Sequence, residues 1–200
     1  AYVTANAQES WKSHQKLDLA WPDIRNSFDL AIQHNNDELV NQVANALWRD
    51  SSFLYVRGHI QDAVHILNSA LDASRRNNWD VNGCEHLVHL GAAYNHLGQT
   101  DKSLDIYHTA LALSRKLRLS HDEGACLNNL GLIHYDIGQL DLAESYFFQA
   151  IKIGETNQDS NLVRDTLSSI AGVHRSLGKL DEAKRHYSRA LELSRLHKDR

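Results

Sequence analysis

The chain has 200 residues, 42% of them hydrophobic and 23% charged, with 21 Lys and Arg against 25 Asp and Glu and a formal net charge of -4. These values exclude a disordered chain, and the acidic balance excludes the clustered cationic footprint that nucleic-acid binding by this segment would need. Two cysteines, Cys84 and Cys126, make no secreted disulfide framework. No apolar run reaches the roughly 20 residues of a membrane span, and no signal segment opens the chain. The expectation is a cytoplasmic protein without membrane contact. The chain starts at Ala1 without a methionine and stops at Arg200 inside a helical pattern, so a piece of a longer protein is expected.

In chain order, a weakly patterned helix is predicted near 2–16 and another near 21–35, with Phe28 and Ala31 at its bulky and small positions. First helices of pairs are predicted near 37–57, 81–97, 121–137 and 161–177. Second helices are predicted near 60–76, 100–117, 140–157 and 180–197. Pro22 is the single proline, so little forbids helix from end to end. Asn35-Asn36 and Asn77-Asn78 mark turns.

Shifting the sequence by 40 residues shows why the pairs recur. Gly58, Gly98, Gly138 and Gly178 fall in register, as do Ala70, Ala110, Ala150 and Ala190. So do Leu71, Leu111, Ile151 and Leu191, and the bulky Leu67, Tyr107, Phe147 and Tyr187. Small residues recur at Ala63, Ser103, Ala143 and Ala183. Asp101, Asp141 and Asp181 follow their glycines, with Gln61 in the first copy. A glycine ends a helix in the left-handed conformation without penalty. An Asp at the next helix start is expected to accept from its free N–H groups. The small residue admits close helix approach, and the bulky residue fills the space within the pair.

At these columns the sequence resembles the tetratricopeptide repeat, best in LNNLGLIHYDIGQLDLAESYFFQAIKI from Leu127 to Ile153. The period of 40 departs from the usual 34, as in longer versions found in cytoskeletal adaptors and bacterial signalling proteins. The resemblance implies an all-α fold, a right-handed superhelical solenoid of antiparallel helix pairs. It is read as one domain over 1–200: a degenerate pair at 1–40, then repeats 41–80, 81–120, 121–160 and 161–200. A narrower likeness covers LDLAWPDIRNSFDLAIQHNNDELVNQVANALWRDSSFLYVRGHIQDAV. Ile24-Arg25, Ala46-Leu47-Trp48 and Arg57-Gly58 look like the segment after the nucleotide-binding core of STAND-class (NB-ARC-type) signalling ATPases. Pro22 and Phe28 replace commoner residues there and leave the subfamily open. The likeness implies a sensor arm of a larger signalling or transcription-regulatory ATPase.

Family geometry places the groove on the first helices. Carried over by position, the partner-binding residues are Asn45, Trp48, Tyr55, Asn95, Asn128, Tyr135 and Arg175. Tyr, Trp and Arg recur as interface anchors, and an Asn amide both donates to and accepts from a peptide backbone. Trp48 has the alternative of packing between helices. The column Trp48, Val88, Asn128, Ser168 lacks the Lys, Asn and Arg set of a carboxylate clamp.

Cys84, His86 and His89 share one stretch, but no fourth ligand is spaced for a structural metal site. His134 and His174 read as members of the aromatic column, and Cys126 as a small core residue. Gly172 to Lys179 fails the phosphate-loop spacing, and Leu180 stands where Ser or Thr is required. Asp72–Arg76 and Asp181–Arg185 fit exposed i,i+4 pairs. No nucleophile–base constellation stands out. The expectation is therefore a non-catalytic scaffold with no cofactor and no metal. Its partner is a protein, a peptide or another domain of its own chain. The alternatives are a small-ligand sensor, with Trp48 and Tyr55 nearest the ligand, and a free-standing adaptor. The apolar face of the last helix, with Leu191, Leu193 and Leu196, is also expected to pair with another copy.

Overall fold

The computed structural model describes the backbone of residues 2–49 and 58–198, and the side chains of 16–47 and 58–196. Among the described residues there are nine helices and no strand. They are α1 (Tyr2–Gln33), α2 (Asp37–Arg49), α3 (Ile60–Asn77), α4 (Asp80–His96), α5 (Thr100–Leu117), α6 (Ser120–Asp136), α7 (Leu140–Thr156), α8 (Ser160–Ser176) and α9 (Leu180–Lys198). This is a helical repeat architecture of the solenoid type. The chain falls into two compact units, residues 1–86 and 87–200.

In the first unit α1 is one helix where two were expected. Pro22 lies inside it, and Trp21, Phe28 and Ala31 on either side of that proline are buried in a core with Val40, Ala44, Leu47, Ala63 and Ile66. Tertiary burial of this stripe outweighs the helix-breaking tendency of one proline. Trp21 Nε1 donates to Asp62 Oδ2 at 3.2 Å, and Arg25 lies 3.2 Å from Asp62 Oδ1, so α1 is tied to α3. Arg76 pairs with Asp37, 39 positions away, its Nε donating to Asp37 Oδ2 at 3.2 Å. The expected Asp72–Arg76 pair is replaced by Asp72–Arg75. Likewise Arg185 meets Glu182, not Asp181.

In the second unit the lattice columns become the core. Ser103, Tyr107 and Ala110 are buried on α5, and Ala143, Phe147, Ala150 and Ile151 on α7. A Cβ built on Gly91 would lie 2.9 Å from the Tyr107 ring, and one on Gly131 would lie 2.6 Å from the Phe147 ring. These glycines let a first helix lie flat on the aromatic of its pair. Ser103 Oγ donates to the Gly91 carbonyl at 2.8 Å, which satisfies the one polar member of the small-residue column.

The turns explain the punctuation. The four lattice glycines have φ between 69° and 79°, as the left-handed helix end requires. Between pairs the same conformation falls on Asn35, Asn78, Arg118 and Gln158. The last three are again 40 apart, a column the sequence hides because its residue types differ. The expected Asp caps are not formed. Gln99 and Gln139 precede α5 and α7 without a side-chain cap, and Asp101 and Asp141 lie inside the first turn. There they favour the helix through its positive end. Gln139 is engaged elsewhere, its Oε1 lying 2.7 Å from His134 Nδ1.

Candidate functional site

Helices α6 and α8 lie against each other in the second unit, so the first helices of adjacent repeats form a continuous surface. Asn128, Leu132 and Tyr135 form one stripe of α6 by their spacing, and Ser168, Gly172 and Arg175 the matching stripe of α8. Asn128, Leu132 and Tyr135 are half-buried and Arg175 is exposed.

Tyr135 joins the two stripes. Its hydroxyl lies 3.0 Å from Ser176 Oγ, and its ring packs against the core that contains Phe147, Val163 and Leu167. Asn128 Oδ1 is buried, and no group among the described residues donates to it. The neighbouring amide is spent differently, Asn129 Nδ2 donating to the Ala125 carbonyl at 2.9 Å. Ser168 Oγ turns back onto the Arg164 carbonyl at 3.1 Å. Arg164 Nε donates to Asp165 Oδ1 at 2.9 Å, so the Asp165 carboxylate carries its own counter-ion. Arg175 is left as a cation with no ion pair among the described residues. The surface thus offers one half-buried amide, one anchored phenol and one cation.

Asn95 sits on α4 half-buried. Asn45 is half-buried on α2 in the first unit. The Trp48 side chain and all of Tyr55 lie outside the described residues. Ser176 was not singled out in the sequence. Its signal is only its position one residue beyond Arg175, on the last turn of α8.

A second cluster was undervalued as an aromatic column. His174 is buried, and its Nε2 lies 2.7 Å from Glu144 Oε1 on the preceding helix. Its ring centroid is 5.0 Å from that of His186 on α9. Burial pushes the His186 pKa down, with His174, Arg185 and Arg189 adding to the effect and Glu144 opposing it. One repeat earlier His134 stacks on Tyr146 with centroids 5.4 Å apart, so the histidine column is structural. His86 Nε2 lies 2.8 Å from Asn41 Oδ1, and Cys84 and Cys126 are buried. Among the described residues no group of three His, Cys, Asp or Glu could hold a metal ion. No helix among them is long and apolar enough to cross a membrane.

By fold the chain is similar to the aspartyl phosphate phosphatase F of Bacillus subtilis, at 18% identity and a TM-score of 0.71, covering 80% of this chain and 42% of that one. It is similar to the Rap conjugation gene regulator of the plasmid pLS20, solved in complex with the Phr peptide, at 18% identity and a TM-score of 0.70 over 93% of this chain and 52% of that one. It is also similar to MamA, at 18% identity and a TM-score of 0.64 over 94% and 97%. The chain spans about half the length of the first two proteins. Likeness at this identity is likeness of fold. No curated protein matches the sequence. The tetratricopeptide repeat family matches residues 84–156 and again 163–197, where the lattice and the helix pairs coincide. Over those residues the chain is built of tetratricopeptide repeats.

Proposed function

We propose that this chain is a protein-interaction scaffold that holds an extended peptide segment of a protein partner along its first helices. The observation that carries this is the joined surface of α6 and α8, where half-buried Asn128 and the anchored Tyr135 stand beside the exposed Arg175. The Asn128 side-chain amide has both a donor and an acceptor for the backbone of a peptide laid along α6. Tyr135 then supplies a ring fixed by its bond to Ser176, and Arg175 meets an acidic group of the partner. Asn95 holds the register position of Tyr135 one repeat earlier. The peptide bound by the Rap regulator of similar fold supports the reading. The likeness of residues 17–64 to the region after a STAND nucleotide-binding core supports a finer one. In it the scaffold is the sensor arm of a larger signalling ATPase and its partner is another domain of the same protein.

The test is selection of ten-residue peptides from a displayed library on the 200-residue chain, followed by titration of the selected peptides into variants. Asn128→Ala, Tyr135→Ala and Arg175→Ala are each expected to weaken binding about tenfold or more, as anchor residues do. Unchanged affinity in all three would remove the groove assignment.

A further inference from the structure

One helix glycine of the second unit is not explained by packing. A Cβ on Gly91, Gly124, Gly131 or Gly154 would lie 2.9 Å or less from a neighbouring side chain, so each of these positions has to be bare. Gly172 is different. It lies inside α8 with ordinary helical backbone, and the nearest atom that a Cβ there would meet is the Tyr135 hydroxyl oxygen, 3.9 Å away. An alanine would fit, and glycine inside a helix is the less stable choice. The lattice counterparts do carry side chains, Ala92 on α4 and Leu132 on α6, and Leu132 packs against the core. The missing side chain leaves a notch where α6 and α8 meet. Its floor is the half-buried Gly172 backbone. Tyr135 borders it with Oη and Cζ, and that phenol is held by its bond to Ser176 at 3.0 Å.

We propose that this notch is the side-chain subsite of the groove and takes one aliphatic residue of the bound peptide, of about leucine size. The inference rests on the groove reading and adds the chemistry of the anchor to it. The size follows from the lattice. Leu132 fills the same register position one repeat earlier, so a partner leucine over Gly172 completes the column from outside. The apolar character follows from the lining. The backbone groups of Gly172 are spent within α8, the Tyr135 ring offers an apolar wall, and the Tyr135 and Ser176 hydroxyls are bonded to each other. Arg175 stands one turn along the same stripe, so an acidic residue of the peptide next to the aliphatic one meets the guanidinium.

The experiment pans one ten-residue peptide library in parallel on the 200-residue chain and on its Gly172→Leu variant. The wild-type pool is expected to fix Leu, Ile or Met at one position. Replacing that residue by alanine is expected to weaken binding about tenfold, the scale of one buried aliphatic side chain. Gly172→Leu fills the notch from within. It is expected to bind the wild-type pool about tenfold more weakly and to be indifferent to the alanine replacement in the peptide. It is also expected to unfold at the same temperature or higher, because leucine is the better helix former. Gly172→Ala, whose methyl has room, is expected to fall between the two and serves if leucine disturbs α8. Peptides with no fixed aliphatic residue, or with equal affinity for the chain and both variants, would overturn the proposal. If such peptides are still lost in Tyr135→Ala, the groove reading stands and the notch alone falls. If Tyr135→Ala leaves them bound as well, both fall.

Discussion

Helices α7 and α9 hold the same place in consecutive repeats and share the same pattern of small, aromatic and aliphatic residues, yet they live in different environments. Phe147 and Ile151 are 0% and 7% exposed, whereas Tyr187 and Leu191 are 41% and 53% exposed. The lattice therefore specifies which residues face a neighbour, and the neighbour decides whether they are buried. Stability in a repeat array is a sum of intrinsic and nearest-neighbour terms, so equal residues contribute unequally according to what covers them.

Truncation breaks this comparison most sharply. Phe147→Ala is expected to cost about 3–5 kcal/mol in denaturant unfolding, against under about 1 kcal/mol for Tyr187→Ala. Equal losses would mean that α9 is covered as α7 is. Next comes the glycine beneath the ring. Gly131→Ala places a methyl 2.6 Å from Phe147 and is expected to cost about 1–3 kcal/mol by overpacking. Its lattice counterpart, Ala171, already carries that methyl.

A pH effect separates the two helices further. The folded-state pKa of His186 is lowered, chiefly by burial. Folding therefore disfavours its protonated form, and stability is full above the unfolded value of about 6.5 and declines as pH falls below it. The melting temperature is expected to drop between about pH 7 and pH 5, and His186→Tyr, which copies Tyr146 of α7, is expected to flatten that slope. The smallest effect lies in the turns. Arg118→Gly relieves a left-handed φ of 58° and is expected to stabilise by about 0.5–1 kcal/mol, net of the entropy glycine adds to the unfolded chain.

The helix pairs were legible because their glycines, alanines and aromatics recur at a fixed step, and each has a steric cause. The left-handed column at Asn78, Arg118 and Gln158 was not, because a conformation can repeat without its residue type repeating. Continuity of α1 through Pro22 escaped prediction because the core around Trp21 and Phe28 decides it. Leu193 reads in sequence as part of the outer apolar face, but it packs against the core inside the last pair, unlike Leu191 and Leu196. At the site, the spacing of Asn128, Tyr135 and Arg175 was readable from helical register. The Tyr135–Ser176 bond and the orphaned Asn128 carbonyl depend on side-chain placement across α6 and α8, which no local pattern encodes.

The groove claim is met most directly by measuring stability and binding together in Asn128→Leu. Removing a buried acceptor without a donor is expected to leave the free protein as stable or about 0.5–1 kcal/mol more stable. The same change is expected to weaken a selected peptide about tenfold or more. A variant that unfolds more easily while binding the peptide as before would show that Asn128 serves the fold, and would contradict the account.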